Sequence, residues 1–169
     1  LLIGTGIIYK QVNYLMQKDI GYEFSSTIIL KAPRTNEDQT IYQKKILSFR
    51  ESMEKNPGVT GFTFISDAPG QEISNWFSCY RKGFDSSTEN AYFRTDIDYE
   101  FIRFFRIRLL AGRDFTIEDK QDQKKLIINL KALKRLGYET PEDAVEQFVK
   151  DSPDREYKII GVIDDFNYY

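Results

Sequence analysis

The chain has 169 residues, 41% hydrophobic and 15% aromatic, enough apolar surface for one globular domain or two small lobes and too much for a disordered chain. Its 24 Lys and Arg nearly balance 26 Asp and Glu, so no long-range field draws it to nucleic acid or to an acidic membrane surface. Histidine is absent and Cys79 is the single cysteine, which excludes an internal disulfide, a thiolate zinc cluster and imidazole proton transfer.

The opening Leu1-Leu2-Ile3-Gly4-Thr5-Gly6-Ile7-Ile8-Tyr9 is apolar, lacks an initiator Met and passes directly into Lys10, Gln11 and Asn13. It reads as the outer end of a transmembrane helix, although no run in the chain reaches the roughly 18–20 apolar residues that span a bilayer. A buried strand or helix at the terminus is the alternative, because short apolar runs have no decisive period. A signal peptide fits worse, since no basic residues precede the run and no small-residue cleavage site follows it. Ile7 to Lys18 holds good helix formers without Gly or Pro, and Gly21 supplies a stop, which predicts a helical stalk over 1–22.

Ser26 to Lys31 is β-branched and apolar and is closed by Ala32-Pro33, which predicts a strand. Tyr42, Ile46, Phe49 and Met53 then fall on one face of a helix, with Lys44, Lys45, Arg50 and Glu51 mostly off that stripe. Asn56-Pro57-Gly58 ends the helix, and Val59 to Ile65 reads as a second strand. The expectation is a β-α-β unit with the helix covering one face of a sheet.

Asp67-Ala68-Pro69-Gly70 is a strong turn, and the polar stretch to Asn90 predicts a boundary between lobes, dividing the chain at 23–90 and 91–169. Within it Trp76, Phe77, Tyr80 and Phe84 read either as strand residues packed on a sheet or as an aromatic binding surface. Ala91 to Ile97 is extended, Asp98 is placed to cap a short helix over 99–105, and Arg106 to Leu110 is extended again before a turn at 111–115. Leu126 to Asn129 predicts a buried strand ending at a helix cap, followed by Leu130, Leu133 and Leu136 and a glycine stop at Gly137. Thr140-Pro141-Glu142-Asp143 restarts a helix, and Tyr157 to Ile163 is the last strand. The pattern is α+β (α/β).

Chemical motifs are sparse. Gly4-Thr5-Gly6 lacks the third glycine and the preceding strand of a dinucleotide fingerprint, and there is no Walker A loop, so no cofactor is expected. Asp96/Asp98 and Asp164/Asp165 belong to no calcium-binding loop and read as capping or solvated groups, so neither a metal nor a catalytic residue is assigned. Arg103, Arg106, Arg108 and Arg113 form an acid-free basic stretch from Phe101 to Arg113. With the charge balanced overall, ion pairing and a partner-facing surface suit it better than nucleic acid. Trp76, Phe77, Arg103 and Arg106 are the candidate partner-binding residues.

The segment from Asp98-Tyr99-Glu100-Phe101 through Ala111-Gly112-Arg113-Asp114-Phe115 resembles a signature of MacB-like periplasmic domains of ABC transporter permeases: an aspartate, an aromatic helix, then a strand leading into a Gly-Arg-x-Phe turn. Ile127-Ile128-Asn129 with Ala132, Leu136 and Gly137 is similar to the family's next strand and helix. Pro141-Glu142-Asp143-Ala144 is similar to its following helix start, and Ile159 to Phe166 to its strand and Asp-Phe turn. Ile8-Tyr9-Lys10-Gln11 and Asp19-Ile20-Gly21-Tyr22 resemble the stalk of Bacteroidetes-type members. Two positions depart from the pattern: Leu130 stands where the family often has an acid, and Glu146-Gln147 where it often has Gly-Lys.

The resemblance implies a two-lobed domain, with a porter-like β-α-β lobe and an inserted, smaller sabre-like lobe, on the periplasmic side of the inner membrane. It implies a non-catalytic role in transmitting movement or binding partners during export. The implied partners are a second permease subunit in a dimer, a cytoplasmic ATPase subunit or domain, and an envelope protein, and a return of the porter lobe is expected after Tyr169. The competing readings are a ligand-binding sensor domain of a membrane receptor, which needs a pocket between the lobes, and a hydrolase working with acids alone.

Overall fold

The computed structural model describes residues 27–33, 36, 38–68, 70–71, 73–121 and 124–166, and the stalk expected over 1–22 lies outside them. Among the described residues the elements run α1 (Gln39–Glu54), β1 (Trp76–Arg81), β2 (Asn90–Phe93), α2 (Phe101–Phe104), β3 (Leu109–Gly112), β4 (Lys125–Asn129), α3 (Leu130–Arg135), α4 (Pro141–Ala144), β5 (Phe148–Ser152) and β6 (Arg155–Ile163), with 3-10 turns at Ser86–Thr88 and Ile117–Gln121. The strands form one six-stranded mixed sheet, and the class is α+β.

β6 organises the sheet. Its first half pairs antiparallel with β5, which passes to β1 and then to the edge strand β2. Its second half pairs antiparallel with β3, while β4 runs parallel along its other edge. Ile159 to Ile163 is buried without a break, as expected of a strand covered on both faces. One core gathers Phe77, Cys79, Leu133, Ala144, Val149, Tyr157, Ile159 and Val162. A second joins Ile163 to Phe101, Ile102, Phe105 and Ile107.

β3 meets β6 at Gly112 and Gly161, which are register partners. Gly112 has φ +76, and a Cβ there would lie 2.3 Å from the Ile160 carbonyl oxygen; one on Gly161 would lie 2.5 Å from the Arg113 carbonyl oxygen. The two strands come this close only because neither residue has a side chain.

Local chemistry sets the helix ends as expected. The Asn129 side chain accepts from the Ala132 amide, Gly137 takes φ 78 after α3, and Thr140 and Asp143 form a reciprocal capping box with Pro141 in the first turn of α4. Both departures from the family pattern acquire a physical meaning. Leu130 packs against the first core, so its side chain is used for burial. Glu146 is held at φ 68, the left-handed region that glycine occupies without strain. Its carboxylate pairs with Lys158 there.

Several expected elements differ. Residues 27–31 form no strand, and Ile28, Ile29 and Leu30 are exposed. A β-branched run needs a neighbouring edge to complete its ladder, and among the described residues none lies beside it. The strand expected over 59–65 reduces to one antiparallel bridge, Ile65 to Ile97, so of the expected β-α-β unit only the helix is regular. The stretch from Asp67 to Asn90, read as irregular, contains β1. β1 pairs with β2 across the expected 90/91 division and with β5 as well, so it belongs with the second part of the chain. The helix begun at Thr140 ends at Ala144 and is followed by β5.

Cys79 points into the first core and is 3% exposed. Burial, reinforced by the charges of Asp151 and Glu89, pushes its thiol up to about 12, and a buried protonated thiol is a poor nucleophile. A disulfide reagent such as DTNB is expected to leave the native protein unmodified and to titrate this thiol only after unfolding. Equal rates in the two states would place Cys79 at the surface.

Candidate interaction surfaces

Alternation along β1 sends Phe77 and Cys79 inward and Trp76 and Ser78 outward. Phe77 meets Tyr157 edge to face at 5.0 Å. Trp76 stands opposite Phe93 of β2, with ring centroids 4.2 Å apart, and the two rings remain 61% and 51% exposed. An open cleft of about 390 Å³ lies beside Trp76, lined also by Ser78, Glu89, Arg94, Asp151 and Arg155, with Phe77 and Tyr157. Three of its four charged residues, Arg94, Asp151 and Arg155, are in ion pairs. Arg155 donates to both oxygens of Asp151, from Nε at 2.9 Å and Nη2 at 2.5 Å, and the Tyr157 hydroxyl is 3.3 Å from the same carboxylate. The Arg155 hydrogen bonds hold the Asp151 carboxyl below the ordinary carboxylate range. Arg94 donates twice to Asp96 and lies over the Phe77 ring at 5.7 Å.

A second constellation surrounds Arg50, the one buried residue of α1. Its Nη2 donates to Asp98 at 2.6 Å and its Nη1 to the Tyr99 hydroxyl at 3.0 Å, while its guanidinium carbon lies 4.9 to 5.1 Å from the ring centroids of Phe62, Phe64 and Tyr99. Asp98 in turn accepts from the Thr63 hydroxyl and from the Glu100 amide ahead of α2. Phe49 adds an edge contact to Phe64. A planar cation with five donors suits a socket of rings and one carboxylate better than an ammonium does.

The basic stretch is largely committed to ion pairs. Arg103 pairs with Glu100 and Arg108 with Asp164, both largely exposed. Arg113 donates twice to Asp119, whose side chain is 5% exposed and also accepts from Lys125 and from the Thr116 amide. These bonds, the Arg113 ones foremost, hold the Asp119 carboxyl far below its usual range. A carboxylate with a depressed folded pKa stabilises the fold in full above its unfolded pKa of about 3.9 and loses that contribution as pH falls toward the folded value. Asp119→Asn is therefore expected to flatten the loss of stability below about pH 4. At neutral pH it is expected to cost about 2 kcal/mol, less than a fully buried pair because the Arg113 side chain is 46% exposed. Urea unfolding of both proteins between about pH 2 and 7 checks this, and parallel pH profiles would refute it.

The four candidate residues therefore fall in two places. Trp76 and Phe77 lie in β1, next to the sheet edge, with Phe77 in the first core. Arg103 is in α2, and Arg106 follows it at φ 51, both exposed, beside the second core. The paired acids are engaged with neighbouring groups: Asp96 with Arg94, Asp98 with Arg50, Asp164 with Arg108, and Asp165 with the Lys131 amide at the start of α3. Among the described residues no three acids or thiols converge. Sequence reasoning missed the Arg50 socket and the Asp119 cluster. Phe62, Phe64 and Tyr99 give no pattern that points to Arg50, whereas the Arg113–Asp119–Lys125 spacing of six and six offers a weak signal.

No family model matches the chain, and no curated protein does. Among solved structures, the chain is similar to a domain of a candidate permease protein from Porphyromonas gingivalis, at 19% identity and a TM-score of 0.48, over 67% of this chain and 43% of that one. It is also similar to the periplasmic region of MacB from Actinobacillus actinomycetemcomitans, at 15% identity and a TM-score of 0.47, over 72% of this chain and 54% of that one. The chain thus spans about half the length of these solved domains.

Proposed function

We propose that this chain is the extracytoplasmic domain of a MacB-like ABC transporter permease, transmitting movement from a membrane-attached stalk to an outer lobe without bond chemistry. The observation that carries the reading is the Arg50–Asp98 contact. Asp98 opens the segment that most resembles the family signature, and it is the group that ties α1 to α2. α1 follows the stalk-like N-terminal segment in the chain, so a displacement of that segment reaches the second part of the domain through one buried guanidinium. The other resembling segments support the reading because they lie together. Gly112 and Gly161 touch, β4 runs beside β6, and Asp165 caps α3.

In this reading the smaller lobe takes in β1 together with residues 91–169, and the porter-like lobe is represented by α1 and the segments flanking it. The exposed side of α2 with Arg103 and Arg106 faces an envelope partner, a second permease subunit completes the dimer, and ATP is hydrolysed by a separate cytoplasmic subunit or domain. The test is topology of the whole gene product. Expressed in full, it is expected to fractionate with the inner membrane, to expose this domain to protease added from the periplasmic side, and to co-purify with an ATPase. A product that fractionates as a soluble protein without a membrane segment overturns the proposal.

A further inference from the structure

We propose that the open face of the sheet, from Trp76 and Phe93 at one end to Lys82 and Lys158 at the other, is a docking surface for an acidic, extended segment of a partner protein. The inference is independent of the permease reading, and the surface is distinct from the exposed side of α2. β1, β5 and the first half of β6 send Phe77, Cys79, Val149, Tyr157 and Ile159 into the first core. Their alternate residues point the other way, and the register assembles these into rows. Trp76 stands opposite Phe93, Tyr80 opposite Lys150, and Lys150 opposite Glu156. Lys158 stands opposite Phe148, whose carbonyl accepts from the Lys82 amide just past β1. Trp76, Tyr80, Phe93 and Phe148 belong to neither core, and the first and third of these are more than half exposed.

Charge decides the class of occupant. The chain as a whole is acidic, at -2, yet the strands of this face carry Lys82, Lys150 and Lys158 against one carboxylate, Glu156. Lys82 pairs with Glu156 at 2.9 Å, and Lys158 pairs with Glu146 from the loop before β5. Lys150 reaches the backbone carbonyl of Pro153 instead, so its charge meets no carboxylate of its own. The Lys82 hydrogen bond, with the charges of Lys82, Lys150 and Lys124, holds the Glu156 carboxyl below its ordinary range, as a surplus of cations does. Both ion pairs are open to solvent and contribute little, so incoming carboxylates share these lysines at small cost. A cationic partner is repelled, and an apolar one strips water from the Lys150 ammonium without replacing it. Trp76 and Lys82 are six residues apart, ~20 Å along an extended strand, so apolar and cationic contacts are separated. That separation suits a peptide of about seven residues, apolar at one end and acidic toward the other. Single-stranded nucleic acid needs stacking and phosphate contacts side by side at each nucleotide, which this face does not offer.

The experiment is an NMR titration of the 15N-labelled chain with a capped peptide, Leu-Ser-Glu-Ser-Glu-Ser-Glu, and with the same peptide in reversed order. The single tryptophan makes the indole N–H an unambiguous reporter of one end of the face. At least one of the two peptides is expected to shift the Trp76 indole and the Tyr80 and Lys150 amides saturably, with a Kd on the order of 0.5 mM. Raising salt from about 50 mM to about 300 mM is expected to weaken binding about tenfold, because the attraction is between exposed charges. Lys150→Glu is expected to weaken it at least about tenfold and Trp76→Ala about threefold. Lys134→Glu makes the same charge change on α3, which packs on the first core, and is expected to leave the Kd unchanged. Retained signal dispersion in each variant shows that it is folded. The proposal is overturned if neither peptide shifts these signals at about 5 mM, if the peptides with Gln in place of Glu bind as tightly, or if Lys150→Glu binds as the parent does. It is also overturned if the shifts centre on α2, or if oligothymidylate binds this face more tightly than either peptide.

Discussion

Arg50→Ala is expected to release α1 from the rest of the domain. The side chains of Arg50 and Asp98 are only 11% and 13% exposed, and removing one member of a buried pair costs about 3 kcal/mol or more, because the other is left desolvated without a counter-charge. Three ring faces lose their cation as well, each worth about 1 kcal/mol where solvent is excluded. α1 has little else to hold it. Ile41, Leu47 and Phe49 are substantially exposed, and a helix of its length is marginal in water on its own. Amide hydrogen exchange should therefore show protection lost over 39–54 while β6 keeps its own. Arg50→Lys is expected to behave more like alanine than like arginine, since an ammonium cannot reach Asp98 and Tyr99 with one planar fork. Parental protection of α1 in Arg50→Ala would show that the helix is held by something other than this socket.

The second large effect belongs to the glycine crossing. Gly112→Ala places a Cβ 2.3 Å from a backbone oxygen and 2.9 Å from Gly161 Cα, at a φ that L-residues avoid. Backbone rather than a flexible side chain is in the way, so β3 must move off β6, at a cost of about 3 kcal/mol or more. Gly83 provides the control. It also has a positive φ, +93, but open space around its missing Cβ, so Gly83→Ala is expected to cost only about 1 kcal/mol, from the backbone alone. Urea midpoints for the two variants separate the contributions. Equal losses would mean that the close approach contributes nothing.

The parts of this fold that could be read from sequence are those whose signals are local. Asn129, Gly137 and Thr140-Pro141-Glu142-Asp143 announce helix ends through their own side chains and φ angles, and β4, α3 and the start of α4 fall where those signals put them. β1 was obscured because large aromatics occupy both of its faces. Phe77 is buried and Trp76 exposed, and hydrophobicity does not distinguish them. β5 carries Lys150, Asp151 and Ser152 among five residues, although the Pro153-Asp154 turn between it and β6 marks a hairpin. The segment 27–31 failed in the opposite sense, since β propensity describes how well a residue fits a sheet and says nothing about whether an adjacent edge exists. The socket was invisible for a related reason. In the apolar stripe of α1, Tyr42, Ile46 and Met53 are half-buried and Phe49 is exposed, whereas the residue buried deepest is a cation off that stripe, and only the tertiary arrangement of Phe62, Phe64, Asp98 and Tyr99 makes burying it favourable.

β6 accepts partners on both edges, and all the other strands, β3, β4 and β5 directly and β1 and β2 through β5, precede it in the chain. During synthesis β3, β4 and the β1–β2–β5 group therefore emerge before the strand that joins them. Until residues 155–163 leave the ribosome, β4, β5 and β3 present unpaired edges, and both cores lack the residues β6 gives them, Ile159 and Val162 in one and Ile163 in the other. These edges stay open to pairing with neighbouring chains until β6 is made, so the sheet closes only when its joining strand arrives.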